Sequence, residues 1–260
     1  MNVHKNKKNL NNYHPVSAVA LSLVVVFVLP IITAIFLGVA YSLLSTSGTD
    51  SAFQIWMQQK QVEVSILSDE KTIISPVESA VSYLLTVPLQ IWFIFWLLRR
   101  RKIDLSKSLG LYFFDKNALI YSLLAWLILY LALNIYGIIF QITPPEEFIK
   151  LMKATPLVLN FLMVVIGAPL VEELLFRGFL FSQLKTSKLG INGSIALTSL
   201  IWTFIHLQYD LLILVPIFFL GLLLGYLMHK YNSLYLVIIV HAVHNLQATL
   251  FTEFLYDYFY

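Results

Sequence analysis

Three short stretches of an otherwise apolar chain carry residues able to do chemistry. The run GAPLVEELLFRGF holds Glu172, Glu173 and Arg177, WTFIHLQ holds His206, and VHAVHN holds His241, His244 and Asn245. An ionisable side chain inside a bilayer is a functional hypothesis by default. Residues four apart share a helix face, so Glu173 can pair with Arg177, and His241 and Asn245 can address one substrate atom. Glu172 is rotated about 100° from Glu173, which suits one carboxylate to chemistry and the other to an ion pair. A carboxylate, imidazoles and an amide at this spacing can activate a water, donate hydrogen bonds to a developing negative charge and move a proton. The 260 residues include no cysteine, which removes a thiolate nucleophile, a thiolate metal site and a disulfide framework.

A membrane is the natural place for these residues. Apolar residues make up 59% of the chain and charged residues 12%, against roughly 25% charged in soluble domains. A helix needs about 20 apolar residues to cross the hydrocarbon core. Seven candidate spans meet or approach that length: about Val16–Leu44, kinked at Pro30; Val77–Leu98; Ala118–Ile142; Pro156–Leu184; the short Gly193–Leu207; Leu211–Met228; and Ser233–Leu255. The expected fold is an all-α integral membrane protein with a catalytic bundle in its C-terminal half. Its parts are a basic cytoplasmic tail (1–15), an N-terminal membrane region of two spans and an external segment (16–117), and a second membrane domain (118–260) that holds all three of the stretches above. The first apolar stretch is too long for a cleaved signal and has no clear A-x-A site.

Charge placement orients the bundle. With the N-terminus inside, the inner segments carry Lys5, Lys7, Lys8, Arg99, Arg100, Arg101, Lys102, Lys107, Lys116, Lys185, Lys188 and Lys230. The outer segments carry only Lys60, Lys71, Lys150 and Lys153. That is the positive-inside asymmetry. At ~1.5 Å per residue, Glu172, His206, His241 and Asn245 all fall roughly 12–20 Å above the inner boundary, so one shared site is expected. Phe53, Ile55, Trp56 and Met57 read as part of an amphipathic stretch on the outer surface, and the aromatic C-terminus as an interfacial anchor. Gly221-x-x-x-Gly225 reads as a helix-packing motif. Gly167 and Pro169 are expected to free backbone groups just before the glutamates. His229 reads as a headgroup contact. His244 reads as packing, with an indirect donor role as the alternative.

Glu172-Glu173-x-x-x-Arg177, Trp202-x-x-x-His206 and His241-x-x-x-Asn245 together resemble the CPBP family, the CAAX proteases and bacteriocin-processing enzymes also called Abi. The resemblance covers about Pro156–Gln247, and Phe176-Arg177-Gly178 completes the first motif; the aromatic of the second is usually Phe and is Trp202 here. The resemblance implies an intramembrane endopeptidase. Glu172 and His206 activate water, His241 and Asn245 form the oxyanion hole, Glu173 and Arg177 brace the site, and no acyl-enzyme forms. Metal-free catalysis is the favoured reading; the alternative is a zinc ion on Glu172, His206 and His241, with one open position. Two other functions compete: a non-catalytic regulator or bacteriocin-immunity protein on the same fold, and a transporter, for which paired inverted repeats are not seen. The expected partners are the lipid bilayer and a membrane-associated peptide or small protein, with no nucleic acid, and the expected location is a bacterial cell membrane.

The charge pattern predicts an N-terminus inside and a C-terminus outside. Protease or labelling accessibility of terminal tags in intact cells checks this, and finding both tags on one side contradicts it.

Overall fold

The computed structural model describes residues 12–45 and 76–259. The stretch with Phe53, Ile55, Trp56 and Met57, and the basic residues Lys5, Lys7, Lys8, Lys60 and Lys71, lie outside the described residues. Every regular element among the described residues is helical. In chain order the main ones are α1 (Pro15–Leu37), α2 (Pro76–Arg100), α3 (Lys116–Ile139), the amphipathic α4 (Glu146–Ala154), α5 (Leu157–Leu184), α6 (Gly190–Phe204), α7 (Leu211–Tyr231) and α8 (Leu234–Phe254). The protein is an integral membrane protein.

Six helices among the described residues, rather than the seven expected, are long and apolar enough to cross a membrane. The fifth expected span is α6, whose 15 residues reach about 22 Å of the roughly 30 Å hydrocarbon core. Its helical ladder gives way just before the site. His206 N–H donates to the Thr203 carbonyl, Leu207 N–H to Phe204 and Tyr209 N–H to His206, so the chain tightens into three-residue turns and His206 sits on that tightened segment.

Helix ends are set by local chemistry. Asp115 accepts the Ala118 N–H at 2.7 Å to open α3, and Ser233 accepts from Leu236 to open α8. Asn232, at φ 47°, turns the chain from α7 into α8. Gly110, at φ 66°, carries the loop before α3 against this hairpin: its carbonyl accepts the Leu234 N–H at 2.8 Å, and a Cβ there would lie 2.5 Å from Met228 Cε. The irregularity expected at Pro30 takes the form of a π segment at Val24–Val28. α5 holds two more, Phe161–Gly167 and Leu174–Leu180, on either side of Ala168–Glu173. π segments inside α-helices are frequent at functional sites.

The core joins Ile94 and Leu98 of α2, Phe176, Phe179 and Leu184 of α5, Leu224 of α7 and Val237 and Val240 of α8. α1 and α3 lie at the rim, with Ile31, Phe36, Ile128 and Ile138 exposed, as lipid-facing helices should be. Tyr13 pins the start of α1: its N–H donates to Gln183 and its hydroxyl to the Leu97 carbonyl. His229 is exposed at the end of α7. Gly221 and Gly225 bring α7 onto α6. A Cβ at Gly221 would lie 3.0 Å from Ser199 Cβ and 3.1 Å from Trp202 Cε3, and one at Gly225 2.9 Å from Ile195 Cγ2.

Gly221→Leu is therefore expected to wedge α6 from α7. Overpacking of this kind costs about 1–3 kcal/mol, which a lowered thermal midpoint in detergent would report.

Candidate active site

Glu173 and Arg177 lie one helical turn apart on α5, and both are 0% exposed. The expected ion pair forms, with Arg177 Nη1 2.9 Å from Glu173 Oε1. Arg177 also donates from Nη2 to the Gly221 carbonyl at 3.2 Å and lies 4.7 Å above the Trp202 ring. Removing either partner of such a pair strands a charge in a dry environment, typically at a cost of about 3–5 kcal/mol. The same Glu173 oxygen holds His241 through Nδ1 at 2.8 Å. The spacing of residues within α5 could not reveal this second contact.

Glu172, one residue earlier, turns toward a cavity and is half-buried. Its Oε2 accepts the Trp202 indole N–H at 2.5 Å. The Trp202 carbonyl, in turn, holds His206 Nδ1 at 2.9 Å. The imidazoles of His206 and His241 both meet the Trp202 ring edge-on at 5.3 Å. Trp202 therefore does more than provide the aromatic wall expected from the sequence: it bonds the carboxylate with its side chain and the histidine with its backbone. A phenylalanine could do only the second.

Asn245 shows why the break in α5 matters. In the π register Ala168 N–H bonds five residues back, to Met163. The next donor would be Pro169, which has no N–H, so the Val164 carbonyl is left over. Asn245 Nδ2 donates to it at 2.8 Å, leaving the second amide proton for another acceptor.

Glu172, His206, His241 and Asn245 all line one cavity of about 800 Å³. The sequence-predicted residues are thus brought together as their common depth implied. The cavity occupies one half of the bundle, reaching from these residues to Tyr136 and Gly137 at the end of α3, the turn Thr143–Pro145 and Phe148 of α4. A smaller cavity of about 630 Å³ adjoins it at Thr143–Pro145 and extends to Lys153 and Tyr256. There Lys153 pairs with Asp257 and lies over the Tyr256 ring, which docks the aromatic C-terminus on α4. Tyr209, between α6 and α7, also faces the main cavity. Burial pushes its phenol above the ordinary value, a hydrogen bond with Gln208 partly opposes this, and the Glu172 charge adds to it. The phenol is therefore a neutral hydroxyl at the cavity wall. His244, expected to be a packing residue, lines the cavity too and accepts the Trp126 indole N–H on Nδ1 at 3.3 Å.

Glu172, His206 and His241 are the side chains named for a zinc ion. Among the described residues no three His, Asp or Glu groups gather closely enough to hold one ion. His206 and His241 are each held through Nδ1 and Glu172 through one oxygen, so both Nε2 atoms and Glu172 Oε1 remain uncommitted.

Residues 154–247 match the family model described as Type II CAAX prenyl endopeptidase Rce1-like. The matched segment carries all three motifs and is similar to that family. This agrees with the CPBP resemblance and, at the family level, supports an endopeptidase of the CAAX type. Neither a curated protein nor a solved structure matches the chain.

Trp202→Phe keeps the ring and removes the bond to Glu172. A hydrogen bond to a charged group contributes about 1.5–3 kcal/mol, and ~1.4 kcal/mol is tenfold in rate. Turnover should fall about ten- to hundredfold with the thermal midpoint little changed, which parallel activity and melting measurements check.

Proposed function

We propose that the protein hydrolyses a peptide bond of a membrane-associated peptide or small protein by direct attack of water. The observation that carries this reading is the anchoring of Glu172 and His206 to one residue. Trp202 takes Oε2 of the first and Nδ1 of the second, leaving Oε1 and Nε2 for the cavity that both side chains line. A carbonyl can only accept, so His206 carries its proton on Nδ1 and its Nε2 is bare. Glu172 Oε1 and His206 Nε2 each accept a hydrogen bond from one water. Glu172 takes a proton as the water oxygen bonds to the substrate carbonyl carbon. His241 Nε2 and the free Asn245 amide proton stabilise the oxyanion. His241 donates when both its nitrogens are protonated, and the oxyanion it then faces balances that charge. Glu172 then passes its proton to the leaving amine as the carbon–nitrogen bond breaks.

Arg177 and Glu173 hold the frame and do not touch substrate. No step in this scheme passes through a metal. The cavity lies in the half of the bundle nearest the turn Thr143–Pro145. With the N-terminus inside, that half is the external one. The substrate would then be a peptide or small protein reached from the outer side of a bacterial cell membrane.

The test uses the purified protein in lipid nanodiscs with a farnesylated CAAX-type peptide and an unmodified apolar leader-type peptide. The wild type should cleave one of them. Glu172→Gln and His206→Ala should each reduce cleavage on the order of 100-fold in protein that remains folded, and Asn245→Ala should slow it less. Full cleavage, or a fully retained cellular phenotype, with Glu172→Gln would overturn the peptidase mechanism in favour of a non-catalytic regulator.

A further inference from the structure

We infer that His244 is an additional substrate-binding residue: a neutral N–H donor, set in place by Trp126, for the carbonyl oxygen of the bond being cut. The inference rests on the peptidase reading above. Neither His244 nor Trp126 belongs to the three motifs, and Trp126 lies outside the matched residues 154–247.

Three imidazoles face the cavity, and the protein holds each by Nδ1. His206 Nδ1 meets the Trp202 carbonyl at 2.9 Å, His241 Nδ1 meets Glu173 Oε1 at 2.8 Å, and His244 Nδ1 meets Trp126 Nε1 at 3.3 Å. The partners differ in kind, and that difference sets the tautomers. A carbonyl and a carboxylate only accept, so His206 and His241 place a proton on Nδ1, and their neutral rings offer a bare Nε2. An indole nitrogen only donates, so His244 keeps Nδ1 bare and carries its proton on Nε2. Among the three, only His244 presents an N–H while uncharged.

Such a donor would add to the single neutral one that Asn245 supplies. Asn245 has one amide proton engaged by the Val164 carbonyl. His241 donates from Nε2 only when charged. A neutral donor is available in every cycle without a proton first being delivered. The edge-on contact of His244 with Trp126, with ring centroids 6.5 Å apart, holds the imidazole from α3, a helix that contributes none of the four predicted catalytic residues.

Nitrogen-15 spectra of histidine-labelled protein in nanodiscs test the assignment without any substrate, with His244→Gln identifying the resonance. His244 should show a protonated Nε2 and a bare Nδ1, and Trp126→Phe should replace this with a mixture of tautomers. A proton on Nδ1 of wild-type His244 overturns the proposal whatever the activity. Kinetics on the cleaved peptide give the second readout. His244→Ala should lower kcat on the order of 100-fold with KM little changed, and His244→Gln, which retains an amide donor, should recover part of it. Trp126→Phe should lower kcat less, and should have no further effect once His244 is alanine. Equal losses in the Ala and Gln variants, in step with lowered thermal midpoints, would mean a packing role and overturn the proposal. If the wild type cleaves neither peptide while His244 carries its proton on Nε2, it is the peptidase reading that fails, and the substrate role of His244 fails with it.

Discussion

Glu173 and Arg177 are both fully buried, and neither could remain charged there without the other. Their pairing lets α5 carry a carboxylate into the middle of the bundle, and the neighbouring elements are arranged around it. The guanidinium reaches the Gly221 carbonyl of α7 and covers the Trp202 ring of α6. The carboxylate reaches His241 of α8. One i,i+4 pair thereby fixes three other helices against α5. Burial of a charge pair is a weak source of net stability; its value here is positional, since Trp202 and His241, which it orients, both line the cavity.

Trp202 converts that frame into a site. It is held from one side by Arg177 and packed closely against Gly221, whose lack of a side chain lets the indole approach α7. From this position it orients Glu172 and His206 together. The two π segments of α5 serve the same end. They interrupt the regular ladder around Ala168–Glu173, and the carbonyl left over by Pro169 becomes the anchor for Asn245. The irregular backbone lies beside a cavity, where unsatisfied backbone groups can be recovered by side chains.

What could be read from the sequence was what depends on local periodicity. The Glu173–Arg177 pair follows from a spacing of four, the common depth of Glu172, His206, His241 and Asn245 from helical rise, and the close approach of α6 and α7 from Gly221 and Gly225. The expected count of seven spans is not confirmed, because the fifth, short in the sequence too, is a helix of 15 residues. Apolarity continues through Gly193–Leu207, while the helix ends at Phe204 because the backbone tightens into three-residue turns beside the cavity. The contacts that give each histidine its chemistry were equally hidden. Glu173 and His241 are 68 positions apart, and Trp126 and His244 are 118 apart, so their pairing depends on which helices are neighbours. Trp202 was recognisable as an aromatic wall, but nothing in its residue type says that the indole N–H points at Glu172.

The central claim is that Glu172 acts on water and does not itself attack the substrate. A single turnover in oxygen-18 water, followed by mass spectrometry of both product and protein, tests it most directly. Direct attack by water puts one oxygen-18 in the new carboxylate of the product and none in Glu172. Oxygen-18 in the Glu172 side chain with an unlabelled product would mean that the carboxylate had formed an anhydride with the substrate, and would contradict the account.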